Sequence, residues 1–276
     1  MTEFEMIKAY FYRNTPMRAE IVLGNGDDCA LLKSTQNLAL SIDTLVLGTH
    51  FTDQISPFDL GARAVAVNLS DCAAMGAKPL AFLLALTLPE LNAHWLELFS
   101  AGLFAQADAF AMPLIGGNTT RGPLSITIQI IGEVEQAFKR SDAQVGDDIY
   151  VSGILGAAAL KLSPRVDLGL ALRGIAHAAI DVSDGLIQDL NHVLDASHCG
   201  AALFSKQIPC HDTLEKALYH GEDYELCFTA PIDQRGAIIN LSEHLKLPLT
   251  RIGHIVAEPV FLMDNQAIQV KGWQHF

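Results

Sequence analysis

Residues 57–88 read PFDLGARAVAVNLSDCAAMGAKPLAFLLALTL, and this stretch decides the fold class. Pro57 to Ala77 predicts a long helix packed with Ala, Val and Leu, and Ala81 to Leu88 a wholly apolar strand behind it. A second long helix, Asn92 to Met112, follows with Asn92 as its N-cap. Working outward, Thr2 to Tyr12 has the spacing of an amphipathic helix, Leu38 to Thr44 reads as a strand, and β-type residues fill Leu124 to Val134. Beyond the β-rich Ile149 to Ser152 the composition turns Gly- and Ala-rich, which places a domain boundary near Val145 to Gly156. Ala178 to Val182 then predicts a strand feeding a helix from Asp184 to Ala196, whose Leu186, Ile187, Leu190, Val193 and Leu194 fall on one face. Strands at Tyr224 to Thr229 and Leu249 to Val256 flank a helix from Ile232 to Leu245. Strands alternating with helices imply two α/β domains in an α/β (α+β) chain, residues 1–147 and 148–276.

Composition narrows the function. The 276 residues carry 18 Lys+Arg against 31 Asp+Glu, a formal charge of −13. With pI near 5.1 and no basic run, a nucleic-acid surface has no electrostatic footprint. The longest apolar run, Pro79 to Pro89, is about half the roughly 20 residues of a membrane span. Met1-Thr-Glu-Phe-Glu-Met is acidic where a secretory leader is basic, so a soluble, unexported, cytoplasmic protein is expected. Cys29, Cys72, Cys199, Cys210 and Cys227 are odd in number and contain no Cys-x-x-Cys pair, so buried reduced thiols are expected rather than disulfides or a zinc site.

The informative acids interrupt apolar or Gly-rich segments. Asp27 and Asp28 stand in Gly26-Asp-Asp-Cys-Ala-Leu31, and Asp43 ends the strand Ser41-Ile-Asp-Thr44. Asp71 lies in the otherwise apolar helix, where an unpartnered carboxylate costs several kcal/mol. Asp181-Val-Ser-Asp-Gly185 closes a strand, with Asp184 at the start of the next helix, where its charge suits the helix dipole. Gly221-Glu-Asp-Tyr-Glu225 adds another acidic strand entrance. Oxygen-only ligands of this kind suit Mg²⁺, which takes carboxylates plus substrate phosphates.

The phosphate side follows no common cradle. A Gly-x-x-x-x-Gly-Lys-[Ser/Thr] loop is absent, and Gly24-x-Gly26-x-x-Cys29 lacks the third glycine of a dinucleotide loop. Gly116-Gly-Asn-Thr-Thr-Arg-Gly-Pro123 is the remaining candidate. Read as a loop, it is either a phosphate-approaching turn with hydroxyls and an Arg, or a tight polar connection between strands.

Taken in order, Gly26 to Ala30, Asp43-Thr-Leu-Val with His50-Phe51, Ala66 to Ala77, Gly116 to Pro123, Asp181 to Leu186 and Gly221 to Phe228 resemble the thiamine-monophosphate kinase family. Its wider superfamily includes aminoimidazole ribonucleotide synthetase. The resemblance implies ATP-dependent phosphorylation of thiamine monophosphate, and a fold whose N-terminal α/β domain contributes strands to a barrel across a homodimer. It implies Mg²⁺ ligands at Asp28, Ser41, Asp43, Asp71, Asn118, Asp181 and Asp184, with several ions bound and K⁺ as a further candidate. Nucleotide contacts fall on Gly117, Asn118, Arg140 and Ser183, substrate contacts on His50, Glu222 and Trp273, and the catalytic group on Asp71, Asp184 and Arg140. Three departures accompany it. Asn118 replaces the acid of the family's Gly-Gly-Asp-Thr, Ile42 replaces a Thr, and Gly153 to Pro164 is shorter than usual. The alternative they favour is a member that binds nucleotide or thiamine phosphate without turnover.

Overall fold

The structure is a computed structural model and describes residues 3–12, 18–25, 30–157 and 162–273. The chain divides into two compact units, Met1–Cys72 with Lys78–Glu135, and Ala73–Ala77 with Gln136–Phe276.

The first unit runs α1 (Glu3–Tyr10), a short antiparallel ribbon of β1 (Ile21–Leu23) and β2 (Leu31–Leu32), β3 (Asn37–Val46), α2 (Pro57–Ala74), β4 (Lys78–Leu88), α3 (Ala93–Asp108), β5 (Leu114–Arg121) and β6 (Ser125–Val134). Its four-stranded sheet has the order β3-β6-β4-β5. The helix α3 carries the chain from β4 to the parallel strand β5, while the β3–β6 and β6–β4 pairs are antiparallel. The unbroken apolar run of β4 explains its central position: Leu80, Ala81 and Phe82 are all 0% exposed, as a strand covered on both faces requires. Asn92 caps α3 as expected, its Oδ1 accepting the Trp95 N–H at 3.0 Å.

Register explains the two characters of β3. Ser41, Asp43 and Leu45 pair with Ile130, Ile128 and Ile126 and share their face, because side chains alternate along a strand. Leu38, Leu40 and Ile42 take the other face and are 40%, 57% and 62% exposed. Asp43 therefore sits inside β3 rather than at its end, and Ile42 points away from its acidic neighbour. A second correction concerns Gly116 to Arg121, which belongs to strand β5 and not to a loop.

The second unit runs β7 (Asp148–Ser152), α4 (Val166–Ala171), β8 (Ala178–Asp181), α5 (Leu186–Ser197), β9 (Gly200–Leu203), α6 (Leu214–Tyr219), β10 (Leu226–Ala230), α7 (Arg235–Leu245), β11 (Leu249–Val256), β12 (Phe261–Met263) and β13 (Gln266–Ala267). Its seven strands are ordered β13-β12-β9-β11-β7-β10-β8. Only β12 and β9 run parallel. The apolar stripe of α5 packs into the core as its spacing predicts: Leu186, Ile187 and Leu190 are 0% exposed, Val193 2% and Leu194 3%. Each such side chain contributes roughly 1.5–3 kcal/mol of burial, which fixes the helix and the loop that enters it.

Cys72, Cys199 and Cys227 are buried free thiols, whereas Cys210 is exposed, against expectation, and Cys29 lies outside the described residues. Burial first, and then the charge of Asp71, pushes the Cys72 thiol up to about 12, so it stays protonated. Among the described residues no helix is long and apolar enough to cross a membrane.

Candidate active site

In the second unit the site is built where β8 hands over to α5. The strand ends at Asp181, which is 7% exposed, and the chain turns through Val182, Ser183 and Asp184 to Gly185, the cap of α5. Asp189, one turn into α5, holds this turn from below. Its Oδ2 accepts the N–H of Asp184 at 3.0 Å and of Gly185 at 3.1 Å. The cap is thus an acid inside the helix reaching back to two of its unsatisfied N–H groups. Burial pushes the Asp189 carboxyl up to about 7, against the lowering effect of those N–H bonds, and the nearby charges of Asp181 and Asp184 push it further the same way. Three carboxylates therefore crowd one helix start, which is the environment a divalent cation relieves.

A second loop is laced to the first by backbone bonds. Tyr224 N–H donates to Val182 O, Glu222 N–H to Ser183 O, and Val182 N–H to Glu225 O, each at 2.8 Å. To make these bonds Glu222 and Tyr224 adopt left-handed backbone, with φ of 70° and 51°, at a cost of about 1–2 kcal/mol each. Gly221 is required beside them, because a Cβ there would lie 1.9 Å from Ser183 O. The other two acids of this run turn inward. Asp223 accepts the N–H groups of Gly156 at 2.8 Å and Ala157 at 3.1 Å. Glu225 takes the Arg165 fork at 2.7 and 2.5 Å together with the Ser152 hydroxyl. Asp223 and Glu225 thus fasten the segments on either side of residues 158–161, which lie outside the described residues, and Glu222 alone of the three acids is left half-buried.

In the first unit Asp71 is half-buried near the end of α2, and the Ser41 hydroxyl of β3 donates to its Oδ2 at 2.5 Å. Asp43 stands two residues along β3 on the same face as Ser41. His50 follows in the turn after β3, and its Nδ1 accepts the Val46 N–H at 3.0 Å. The proton of the neutral ring is thereby placed on Nε2. Gly117 lies in β5 because that strand runs close to β4: a Cβ would come within 2.1 Å of Leu84 O. Asn118 is exposed and pairs with Ala85, which pairs with Thr127. Alternation puts it on the sheet face opposite Ser41 and Asp43.

The structure thus gathers Asp181, Ser183, Asp184 and Glu222 in one place, and Ser41 and Asp71 in another, with Asp43 beside Ser41. Trp273 joins the former, its N–H donating to Asp184 O at 3.0 Å. Arg140 does not join it. Ser197, at the C-terminal end of α5, donates to the Arg140 carbonyl at 2.7 Å, and a helix of that length spans about 18 Å. Asp28 lies outside the described residues. Among the described residues no three His, Cys, Asp or Glu side chains converge closely enough to hold a metal ion. Sequence reasoning missed Asp189, Gln188 and the Arg165 ion pair, and singled out the acidic run of Asp223 without giving that residue its fastening role. For Asp189 a signal existed, since it falls in the apolar stripe between Leu186 and Val193, where an acid is out of place.

Comparison with known proteins gives the family and the fold. Family models for the AIR synthase related protein N-terminal and C-terminal domains match residues 26–134 and 157–264. Thiamine-monophosphate kinase of Escherichia coli K12 is 44% identical over 318 aligned positions, covering 99% of this chain and 98% of the relative. That length exceeds the 276 residues present here, so the relative carries residues that this chain lacks. The crystal structure of thiamine-monophosphate kinase from Stenotrophomonas maltophilia K279a superposes with a TM-score of 0.87 at 44% identity, covering 91% of this chain and 93% of the other. The solved complex of AaThiL with AMPPCP and TMP superposes at 0.82 with 28% identity, covering 91% of each chain. The two-unit α/β fold, the acidic helix start and these matches make the chain a member of the thiamine-monophosphate kinase family, built on the AIR synthase related fold.

Proposed function

We propose that this chain transfers the γ-phosphoryl group of ATP to the phosphate of thiamine monophosphate, yielding thiamine diphosphate and ADP by direct in-line attack. The observation that carries this reading is the crowding of Asp181, Asp184 and Asp189 at the start of α5, set in a chain whose full length aligns with a thiamine-monophosphate kinase. Donor and acceptor are both phosphates, so their mutual repulsion is the principal barrier. Mg²⁺, when bound, would supply charge neutralisation of the phosphates. Asp181 and Asp184 in the second unit, and Asp43, Asp71 and Ser41 in the first, are the proposed holders, with Asp28 and Asn118 added by the resemblance. Few protein ligands per ion is the habit of Mg²⁺, which fills its shell with phosphate and water.

The remaining residues position. The acceptor monoester has a second pKa of about 6 and is already ionised at neutral pH, so no strong general base is needed. His50 fits that economy as a positioning residue: its Nδ1 accepts the Val46 N–H, which fixes the ring and its tautomer. Glu222 is held beside Ser183 by its left-handed backbone, and Trp273 is an aromatic residue that is 52% exposed. These are the proposed thiamine phosphate contacts, and Ser183 and Gly117 the nucleotide contacts. Arg140 as a holder of ATP phosphates rests on the resemblance alone. The exposed Leu38, Leu40 and Ile42 on the edge strand β3 suit burial against a second copy of the chain, in keeping with a homodimer.

The test incubates the protein with ATP, Mg²⁺ and thiamine monophosphate and follows thiamine diphosphate by chromatography, with Asp71→Asn as blank. Product that vanishes in the blank is expected. Binding of both ligands without product would replace this reading with the non-catalytic binder, which Asn118 and the missing residues favour.

A further inference from the structure

Gln188 sits in the first turn of α5, and its amide reaches two partners that lie far apart in sequence. Nε2 donates to Asp184 Oδ2 at 3.2 Å and to the Trp273 carbonyl at 2.9 Å. The same two residues are joined directly, Trp273 N–H to Asp184 O at 3.0 Å. Gly272 lets the C-terminal segment come close, since a Cβ there would stand 2.5 Å from Gln188 Cβ and 2.8 Å from Asp184 O. An ordinary core anchor buries its ring, but the Trp273 side of this contact is its backbone and the residue stays 52% exposed. The bonds therefore fix where this aromatic residue is placed. One amide donor set between a carboxylate and a backbone carbonyl also fixes the rotamer of that carboxylate, because moving either partner strains the other bond.

We propose that Gln188 is a positioning residue that couples the C-terminal aromatic Trp273 to the carboxylate of Asp184, so that the thiamine-binding end and the cation-binding end of the site are set together. The assignment of roles to Trp273 and Asp184 rests on the kinase reading, while the coupling itself rests on the three bonds. Removing the donor releases the Asp184 carboxylate and the Trp273 carbonyl, and leaves only the Trp273 N–H bond to Asp184 O between them, without touching the core, since Gln188 is only half-buried.

The test has a spectroscopic and a kinetic arm. Trp273 shares the chain with a single other tryptophan, Trp95. That ring stacks on Phe99 at 4.8 Å, so Trp95→Phe preserves the stack and leaves Trp273 as sole reporter. In this background Mg²⁺ alone, with no nucleotide or substrate, is expected to shift the Trp273 emission. Adding Gln188→Met, which keeps length and helix propensity but removes the donor, is expected to abolish that response. In otherwise wild-type protein Gln188→Met is expected to raise the KM for thiamine monophosphate about three- to tenfold, the worth of one ordinary hydrogen bond, with kcat within about twofold. A purely structural role would lower the active fraction and the melting temperature and leave KM alone. Emission that ignores Mg²⁺ in the Trp95→Phe protein, an unaltered response after Gln188→Met, or a KM within twofold of wild type overturns the coupling. Failure of the kinase reading is separately visible: no thiamine diphosphate from the wild type, with the Mg²⁺ response of Trp273 present and lost on Gln188→Met, refutes the reaction and upholds the coupling.

Discussion

Asp148 and Asp189 are buried to the same degree, 1% and 2% exposed, yet their carboxyls move in opposite directions. Burial alone would raise both. At Asp148 the guanidiniums of Arg235 and Arg251 overcome it and hold the carboxyl below its usual range, with the bonds at 2.5 and 2.9 Å from Arg235 and 2.5 Å from Arg251. At Asp189 the donors are the neutral backbone N–H groups of Asp184 and Gly185, the neighbours are Asp181 and Asp184, and the carboxyl rises to about 7. Both clusters belong to the second unit. The first is a fastening, in which the carboxylate charge is more than matched within the protein by two guanidiniums. The second keeps negative charge concentrated at a helix start, a costly arrangement in a ligand-free protein and a useful one where cations and phosphates bind.

Substitution should separate the two sharply. Asp184→Asn is expected to cut kcat/KM for thiamine monophosphate by about 1,000-fold or more, about 4 kcal/mol of transition-state stabilisation, while the melting temperature in chelator stays the same or rises. Asp148→Asn should do the reverse, lowering the melting temperature by roughly 5 °C and leaving turnover per folded molecule within twofold. Thermal melts beside single-turnover kinetics read both quantities on the same samples. Loss of activity at Asp148, or loss of stability at Asp184, would break the division between fastening and site.

The next expected effect is in pH dependence. The folded-state pKa of Asp189 lies above its unfolded value, so the stability linked to its protonated form is complete below about pH 4 and is lost as pH rises toward 7. Asp189→Asn removes that loss while its side-chain oxygen can still accept the N–H bonds of Asp184 and Gly185. In chelator the variant should be more stable than wild type by on the order of 2–4 kcal/mol at pH 8, and the gain should disappear near pH 4. Urea titrations at the two pH values decide it. A gain that persists at pH 4 would mean that Asp189 acts through shape and not through charge.

Much of this was legible in the residues. The α5 stripe, the Asn92 cap and the apolar run of β4 follow from periodicity and composition, because burial acts on each residue locally. The motifs that placed Asp43, Asp71, Asp181 and Asp184 were legible as acids where acids are costly. What was hidden depends on pairing across the chain. Gly116 to Arg121 looks like a loop until β4 lies beside it, and then Gly117 is needed for the contact with Leu84 O. The left-handed Glu222 and Tyr224 follow from bonds to Val182 and Ser183, which no local propensity announces. Gln188 and Trp273 stand 85 positions apart, and nothing in either neighbourhood names the other.

The smallest expected effect tests whether the first unit obeys the same rule as the second. By the resemblance Asn118 takes the place of an acid, and its amide offers an oxygen without the charge. Its exposed place on β5 means that any cation it meets is reached through water, where a full charge at 4 Å is worth only about 1 kcal/mol and salt weakens it further. Asn118→Asp should therefore lower the Mg²⁺ concentration at half-saturation by about two- to fourfold, with kcat little changed. A larger gain would place position 118 in direct contact with the ion. An unchanged half-saturation would mean that the sheet register, which sets Asn118 on the face away from Ser41 and Asp43, keeps it out of the cation site, and that the missing carboxylate costs this chain nothing.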